Sequence, residues 1–161
     1  MGLFSFIKNA GIKVFGIGHM HALEVAEIAA IGISLEEIAA TRIEKVIKDL
    51  QLQVEKFNLI IEEDLVIVSG VSHDQATKEK VILLVGNSMG ITTVDDRMTV
   101  ENQGEKSRFY TVVKGDSLGI IAKNIYNDPK KYIHVFQANE PMLTHPDKIY
   151  VGQVLRIPAL D

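Results

Sequence analysis

The sequence predicts an α+β protein built from two small units in tandem. Three observations carry that prediction. Residues 34–99 read as helix, strand, strand, helix, strand, and residues 109–161 as strand, helix, helix, strand. Between them lies a polar, glycine-containing run, Val100-Glu-Asn-Gln-Gly-Glu-Lys-Ser107, so residues 100–108 are expected to be a linker. The charge divides at the same place. Residues 1–104 carry 9 Lys and Arg against 15 Asp and Glu, whereas residues 105–161 carry 8 against 6. An acidic unit joined to a weakly basic one suggests two bodies that attract each other.

The elements follow in chain order. Within residues 1–33, Phe4, Ile7, Gly11, Val14 and Phe15 give a partial helical stripe, broken by Gly11, Gly16 and Gly18. The expectation is an N-terminal helical segment that packs on the unit after it. Ser34-Leu-Glu-Glu37 has the form of a capping box, and Ile43, Val46, Ile47 and Leu50 then recur at helical spacing. Two β-rich runs, 54–61 and 65–71, flank Glu62-Glu63-Asp64 and read as a hairpin. Ser72-His-Asp-Gln75 reads as a second capping box, opening a helix that ends near Gly86-Asn87, and 91–99 as a third strand. Past the linker, Phe109–Val113 is a short strand and Lys114–Ser117 a turn with a helix cap. Helices are expected at 117–126 and at 129–138, the second starting on Pro129. Gln153–Ile157 closes the unit as a strand.

Composition narrows the functional classes. The chain has 161 residues, 47% of them hydrophobic and 24% charged, within the ordinary globular range. A formal net charge of −4 argues against nucleic acid and anionic membranes as partners. There is no cysteine, which removes disulfides, thiolate metal sites and cysteine nucleophiles. No stretch of about 18 uncharged apolar residues exists, so no membrane span is expected. Lys8 and Lys13 come after the first apolar residues rather than before them, unlike a secretion leader, and Phe6 stands where myristoylation needs Ser or Thr. The expectation is a soluble, cytoplasmic protein.

No catalytic constellation stands out, and an enzyme is not expected. His19 and His21, two apart, share a face only on a strand and need a third ligand to hold a metal. Glu62, Glu63 and Asp64, with Glu55 nearby, lack the spaced ligands and fixed glycine of a calcium loop and read as a solvated hairpin tip. Asp95-Asp96 reads as a strand-end or interface pair. Gly86-Asn-Ser-Met-Gly90 lacks the Lys-Ser/Thr of a phosphate loop and reads as a helix end and turn.

Two stretches resemble known families. Tyr110-Thr-Val-Val-Lys-Gly115-Asp116-Ser117-Leu118, Ile121-Ala122, Ile125-Tyr126, Ala138-Asn139 and Ile149-Tyr-Val-Gly-Gln-Val-Leu-Arg-Ile-Pro158 resemble the LysM domain. The αββαβ unit at 34–99, through Val66–Val71 and Val94-Asp95-Asp96, resembles a BON domain. Joined to the N-terminal Met-Gly-Leu-Phe-x-Phe, to Val85-Gly86-Asn87 and Gly90-Ile91, and to Asp147-Lys-Ile-Tyr150, they resemble the bacterial potassium-binding protein family over essentially the whole chain.

That resemblance implies a K+ ligand held by main-chain carbonyls, with the two domains closing together. Selective K+ sites replace the hydration shell with several neutral oxygens, and helix ends offer carbonyls without an internal partner. Such oxygens can come from Ile7 and Ala10 in the N-terminal segment and from Gly86, Ser88 and Ile91. Ile149 is added from the LysM side because binding must be coupled to closure. The alternative follows from the LysM resemblance, which implies binding of N-acetylglucosamine polymers such as peptidoglycan. Its groove would lie beside Gly115, Asp116, Ser117 and Leu118, with the loop around Met142 opposite.

Overall fold

A computed structural model of the chain describes residues 2–7, 30–88 and 90–160. Among the described residues, the first unit is a four-stranded sheet with two helices on one face. In chain order its elements are β1 (Gly2–Ser5), α1 (Leu35–Asp49), β2 (Val54–Glu62), β3 (Leu65–Asp74), α2 (Gln75–Gly86) and β4 (Thr93–Asn102). The strand order is β1-β4-β3-β2; β3 and β4 are parallel and the other pairs antiparallel. Parallel strands need a crossover, and α2 provides it.

The first helix begins as its sequence requires. Ser34 Oγ accepts from Glu37 N at 3.1 Å, and Glu37 Oε2 accepts from Ser34 N at 3.0 Å. Ile43 and Ile47 turn inward from α1 and join one apolar cluster with Leu59 of β2, Val66 and Val68 of β3, and Val94 and Met98 of β4. The hairpin tip is tight, with Glu62 opposite Leu65 and Glu63 at φ 58°.

Three expectations change. Gly2–Ser5 is a strand, not part of a helical stripe: it pairs with Thr93–Asp96 at the sheet edge. Residues 8–29 of the expected N-terminal helical segment, including Ala10, His19 and His21, lie outside the described residues. The cap of α2 is Asp74, whose Oδ1 accepts from Thr77 N at 2.7 Å, because Ser72 is still inside β3, opposite Val54 and Val100. The linker is shorter than 100–108, since β4 runs to Asn102.

The second unit comprises β5 (Arg108–Thr111), α3 (Leu118–Tyr126), a 3-10 turn at Pro129–Lys131, α4 (Tyr132–Ala138) and β6 (Val154–Ile157), with β5 and β6 antiparallel. Ser117 Oγ caps α3 through Ile120 N, and Asp128 caps the 3-10 turn through Lys130 N. Leu118, Ile121, Val135, Leu143, Leu155 and Ile157 form its core. The mixed α+β class read from the sequence is the class observed.

Helix α2 joins the units. Glu79 and every residue from Val81 to Gly86 are buried. A helix buried on all sides has no solvent face. One side of α2 lies on β3 and β4, and another meets β6 of the second unit. Met142 and Val154 of the second unit belong to the same apolar cluster as Val81–Val85.

Candidate functional site

The C-terminal end of α2 gathers most of the residues singled out for main-chain ligation. Phe6 N donates to Thr92 O at 2.8 Å, extending β1 beyond its last ladder pair. The Phe6 ring then lies on Gly86: a Cβ at residue 86 would fall 2.1 Å from Phe6 Cζ. The backbone at Phe6-Ile7, the end of α2 and the segment before β4 are thereby brought together. Ile7 itself is exposed, while Gly86, Ser88 and Ile91 are buried.

Local hydrogen bonding shapes this end. Asn87 N and Ser88 N donate to Leu83 O and Val85 O, and Ser88 Oγ donates to Leu84 O at 2.8 Å. Ser88 O accepts from Ile91 N at 3.4 Å. Thr92 N and Thr93 N both donate to Asp64 O, tying the acidic hairpin tip to the same region. Ser88, Gly90 and Ile91 line a cavity of about 180 Å³ with Ile43, Glu36 and Glu63. The negative end of the α2 dipole and these two carboxylates all favour a cation in the neighbourhood. Among the described residues, no group of three or more His, Asp or Glu is placed to hold a metal through side chains.

Ile149 belongs to the second unit. It packs against the core of the second unit. One polar link between the units comes from Asn87. Its Nδ2 donates to Val154 O and its Oδ1 accepts from Val154 N, both at 2.9 Å. Asn139 treats the next outward residue of β6 in the same way, donating to Arg156 O at 2.7 Å and accepting from Arg156 N at 2.8 Å. β6 therefore has a strand on one edge and two asparagine amides on the other.

Farther along the seam, Glu79 is the hub. Its Oε2 accepts from Arg156 Nε at 2.5 Å, and its Oε1 accepts from Gln75 Nε2 and from Ser107 N. The neighbouring Lys78 pairs with buried Asp96 at 2.9 Å and donates to Met98 O. Burial, and then the Arg156 guanidinium, push Lys80 below the usual lysine range, against the pull of Asp74 and Glu140. Lys78 and Asp96 floor a cleft of about 400 Å³ whose walls include Phe4, Ile82 and Phe109; the two phenylalanine rings are 5.2 Å apart. Asp95 is engaged with Arg97, so the Asp95-Asp96 pair is divided between two partners on opposite faces of β4.

The residues proposed for glycan contact have internal duties. Asp116 Oδ2 accepts from Tyr110 OH at 2.8 Å and from Val113 N at 3.0 Å, and the phenol is held above its usual range by that carboxylate. Leu118 is buried. A groove of about 380 Å³ does lie here, between Ser117-Leu118-Gly119 and Tyr132 with His145 and Asp147. The loop after Met142 borders it through His145, Pro146 and Asp147, while the Met142 side chain itself is buried in the cluster around α2.

A family model for the LysM domain matches residues 110–158. A potassium binding protein, Kbp, of Escherichia coli O6:H1 (strain CFT073) is 37% identical over 159 residues, which cover 98% of this chain and 99% of that relative. The chain belongs to the Kbp family. An endolysin of Bacillus phage B103 is 31% identical over 80 residues, covering 50% of this chain and 27% of the endolysin.

Within this Kbp-family chain, sequence reasoning found the turn after α2 but missed Asn87, Glu79 and Arg156. The one available signal was the buried apolar run Val81–Val85, which leaves no solvent face for the helix and so calls for a second partner. No helix among the described residues is long and apolar enough to cross a membrane.

Proposed function

We propose that this chain is a cytoplasmic K+-binding protein, a sensor or buffer, whose ligands are main-chain carbonyl oxygens of the N-terminal segment (Ile7, Ala10) and of Gly86, Ser88 and Ile91. Binding draws the αββαβ unit, which we read as BON-like, and the LysM unit together, with Ile149 on the LysM side. The reading is carried by the near full-length likeness to a relative named for potassium binding. Support comes from the meeting of the Phe6-Ile7 backbone, Gly86 and the Ile91-Thr92 segment. Neutral oxygens suit K+ because they can replace a loosely held hydration shell without the field strength that favours smaller ions. On this reading the protein binds and does not catalyse.

The test is isothermal titration with small-angle scattering in K+, Rb+, Cs+ and Na+. The expected result is heat and a smaller radius of gyration with K+ and none with Na+. No response to K+, or an equal response to Na+, rejects the reading.

A second reading is favoured by the groove beside Ser117 and Leu118 and by the partial likeness to an endolysin. Here the LysM unit binds peptidoglycan fragments, N-acetylglucosamine polymers, through Gly115, Asp116, Ser117 and Leu118. Retention on cell-wall sacculi independent of K+ supports it, and absence of retention rejects it.

A further inference from the structure

We infer that Asn87 is the positioning residue that couples the turn after α2 to docking of the LysM unit, so that cation binding and docking tighten each other. The inference rests on the K+ reading above.

Asn87 belongs to two structures at once. Its main chain is the C-cap of α2, at φ −78° and ψ −1°, between Gly86 and Ser88, two of the residues whose carbonyls are proposed as ligands. The directions of those carbonyls follow from the backbone angles at 86–88. Its side chain spends both polar atoms on a single residue of the other unit, Val154. A planar amide held at both its oxygen and its nitrogen cannot swing about its last torsion. A shift of β6 therefore either breaks two hydrogen bonds or carries the Asn87 backbone with it. Both partners are buried, so water does not take over these bonds while the units are docked.

The other polar bridge across the seam is Glu79 with Arg156 and Ser107. Eight residues separate Glu79 from Asn87, or about 12 Å along the helix axis. The Glu79 bridge holds the units together but does not reach the turn; Asn87 does both. A ligand that fixes the carbonyls of 86 and 88 thus selects the Asn87 placement that grips β6. By linkage, a docked β6 raises the ligand's affinity by the same factor.

The experiment uses the full chain, with K+ itself as the ligand, read by isothermal titration and by the radius of gyration with and without K+. Variants are Asn87→Ala, Val154→Pro, Glu79→Gln and the double variant Asn87→Ala with Glu79→Gln. Circular dichroism in Na+ establishes that each is folded. Val154→Pro deletes the N–H that Asn87 accepts while leaving the sequence of α2 and its turn intact, so it tests the same bond from the far side. Asn87→Ala and Val154→Pro are each expected to weaken K+ binding, by a factor in the range of roughly 5–150 usual for such coupling, and to abolish K+-induced compaction. Glu79→Gln is expected to weaken K+ binding in the native background and to change nothing further once Asn87 is alanine.

Unchanged affinity in both Asn87→Ala and Val154→Pro overturns the inference. So does an equal cost of Glu79→Gln in both backgrounds, because the coupling then bypasses Asn87. If the unaltered chain gives no heat with K+, the K+ reading itself fails and the coupling falls with it.

Discussion

The Phe6 ring occupies the space in which a side chain at residue 86 would begin, because Gly86 presents bare backbone to it from the last turn of α2. Gly86→Ala forces the ring or the helix end to move. Overpacking of this kind costs about 1–3 kcal/mol. Urea denaturation should show that loss, and it should shrink when Phe6 is also replaced by Val. If the cost of Gly86→Ala is the same in both backgrounds, the ring is not its cause.

Glu79 and Arg156 form an ion pair whose side chains are 4% and 12% exposed. Removing one member of a buried pair strands the other charge, at a cost of about 3–5 kcal/mol. Glu79→Ala is expected to lie in that range in chemical denaturation. A double replacement, Glu79→Met with Arg156→Met, should recover much of it, since both desolvated charges are then gone. A double variant as unstable as the single one would contradict this account.

Asp74 caps α2, and the Thr77 N–H it accepts draws its carboxyl below the ordinary value of 3.8, against the opposing effect of burial. Asp74→Ala should cost about 1 kcal/mol at neutral pH, as is usual for a lost N-cap. The folded value lies below the unfolded one, so the ionised carboxyl's contribution is present above pH 3.8 and lost as pH falls through the folded value. The stability difference between the native chain and Asp74→Ala should therefore be level from neutrality to mild acid and diminish below. A difference that stays level down to pH 2 would place the effect elsewhere.

In the LysM unit, Tyr110 donates its phenol to Asp116, and that bond holds its ionisation above the ordinary 10.0. Here the sign is reversed. The contribution is fully present below pH 10.0 and lost as pH rises through the higher folded value. Tyr110→Phe should cost about 1 kcal/mol at neutral pH and progressively less in strong alkali. Thermal unfolding across pH 7–11 would reveal a gap that fails to narrow.

Local signals made much of the fold legible. Ser34 and Glu37 are three residues apart, and their reciprocal bonds need nothing beyond themselves. The hairpin and the caps of the LysM unit are equally local. The strand at Gly2–Ser5 was not legible, because its partner lies some ninety positions away in β4 and four residues carry too little pattern. Ser72 and Asp74 are both good cap residues, and only the ladder pairs of Ser72 with Val54 and Val100 decide between them. The candidate site leaves a fainter trace in the sequence. Carbonyl ligands would leave the side chains almost free, so Gly86, Ser88 and Ile91 are proposed through family resemblance. Asn87, whose side chain bonds Val154 across the seam, reads in sequence as nothing more than a helix-ending residue.

The burial of α2 on every side bears on how the chain is made. The ribosome releases the N-terminal unit first, and the helix is finished well before β6 exists. Val154 follows Val85 by about 70 residues, which at ordinary elongation speeds is roughly 3–14 s. Throughout that interval the flank of α2 destined for β6 has no cover, and the Glu79 carboxylate has no Arg156. Until the last strand emerges, that flank of α2 is an exposed apolar surface, and docking of β6 is what covers it.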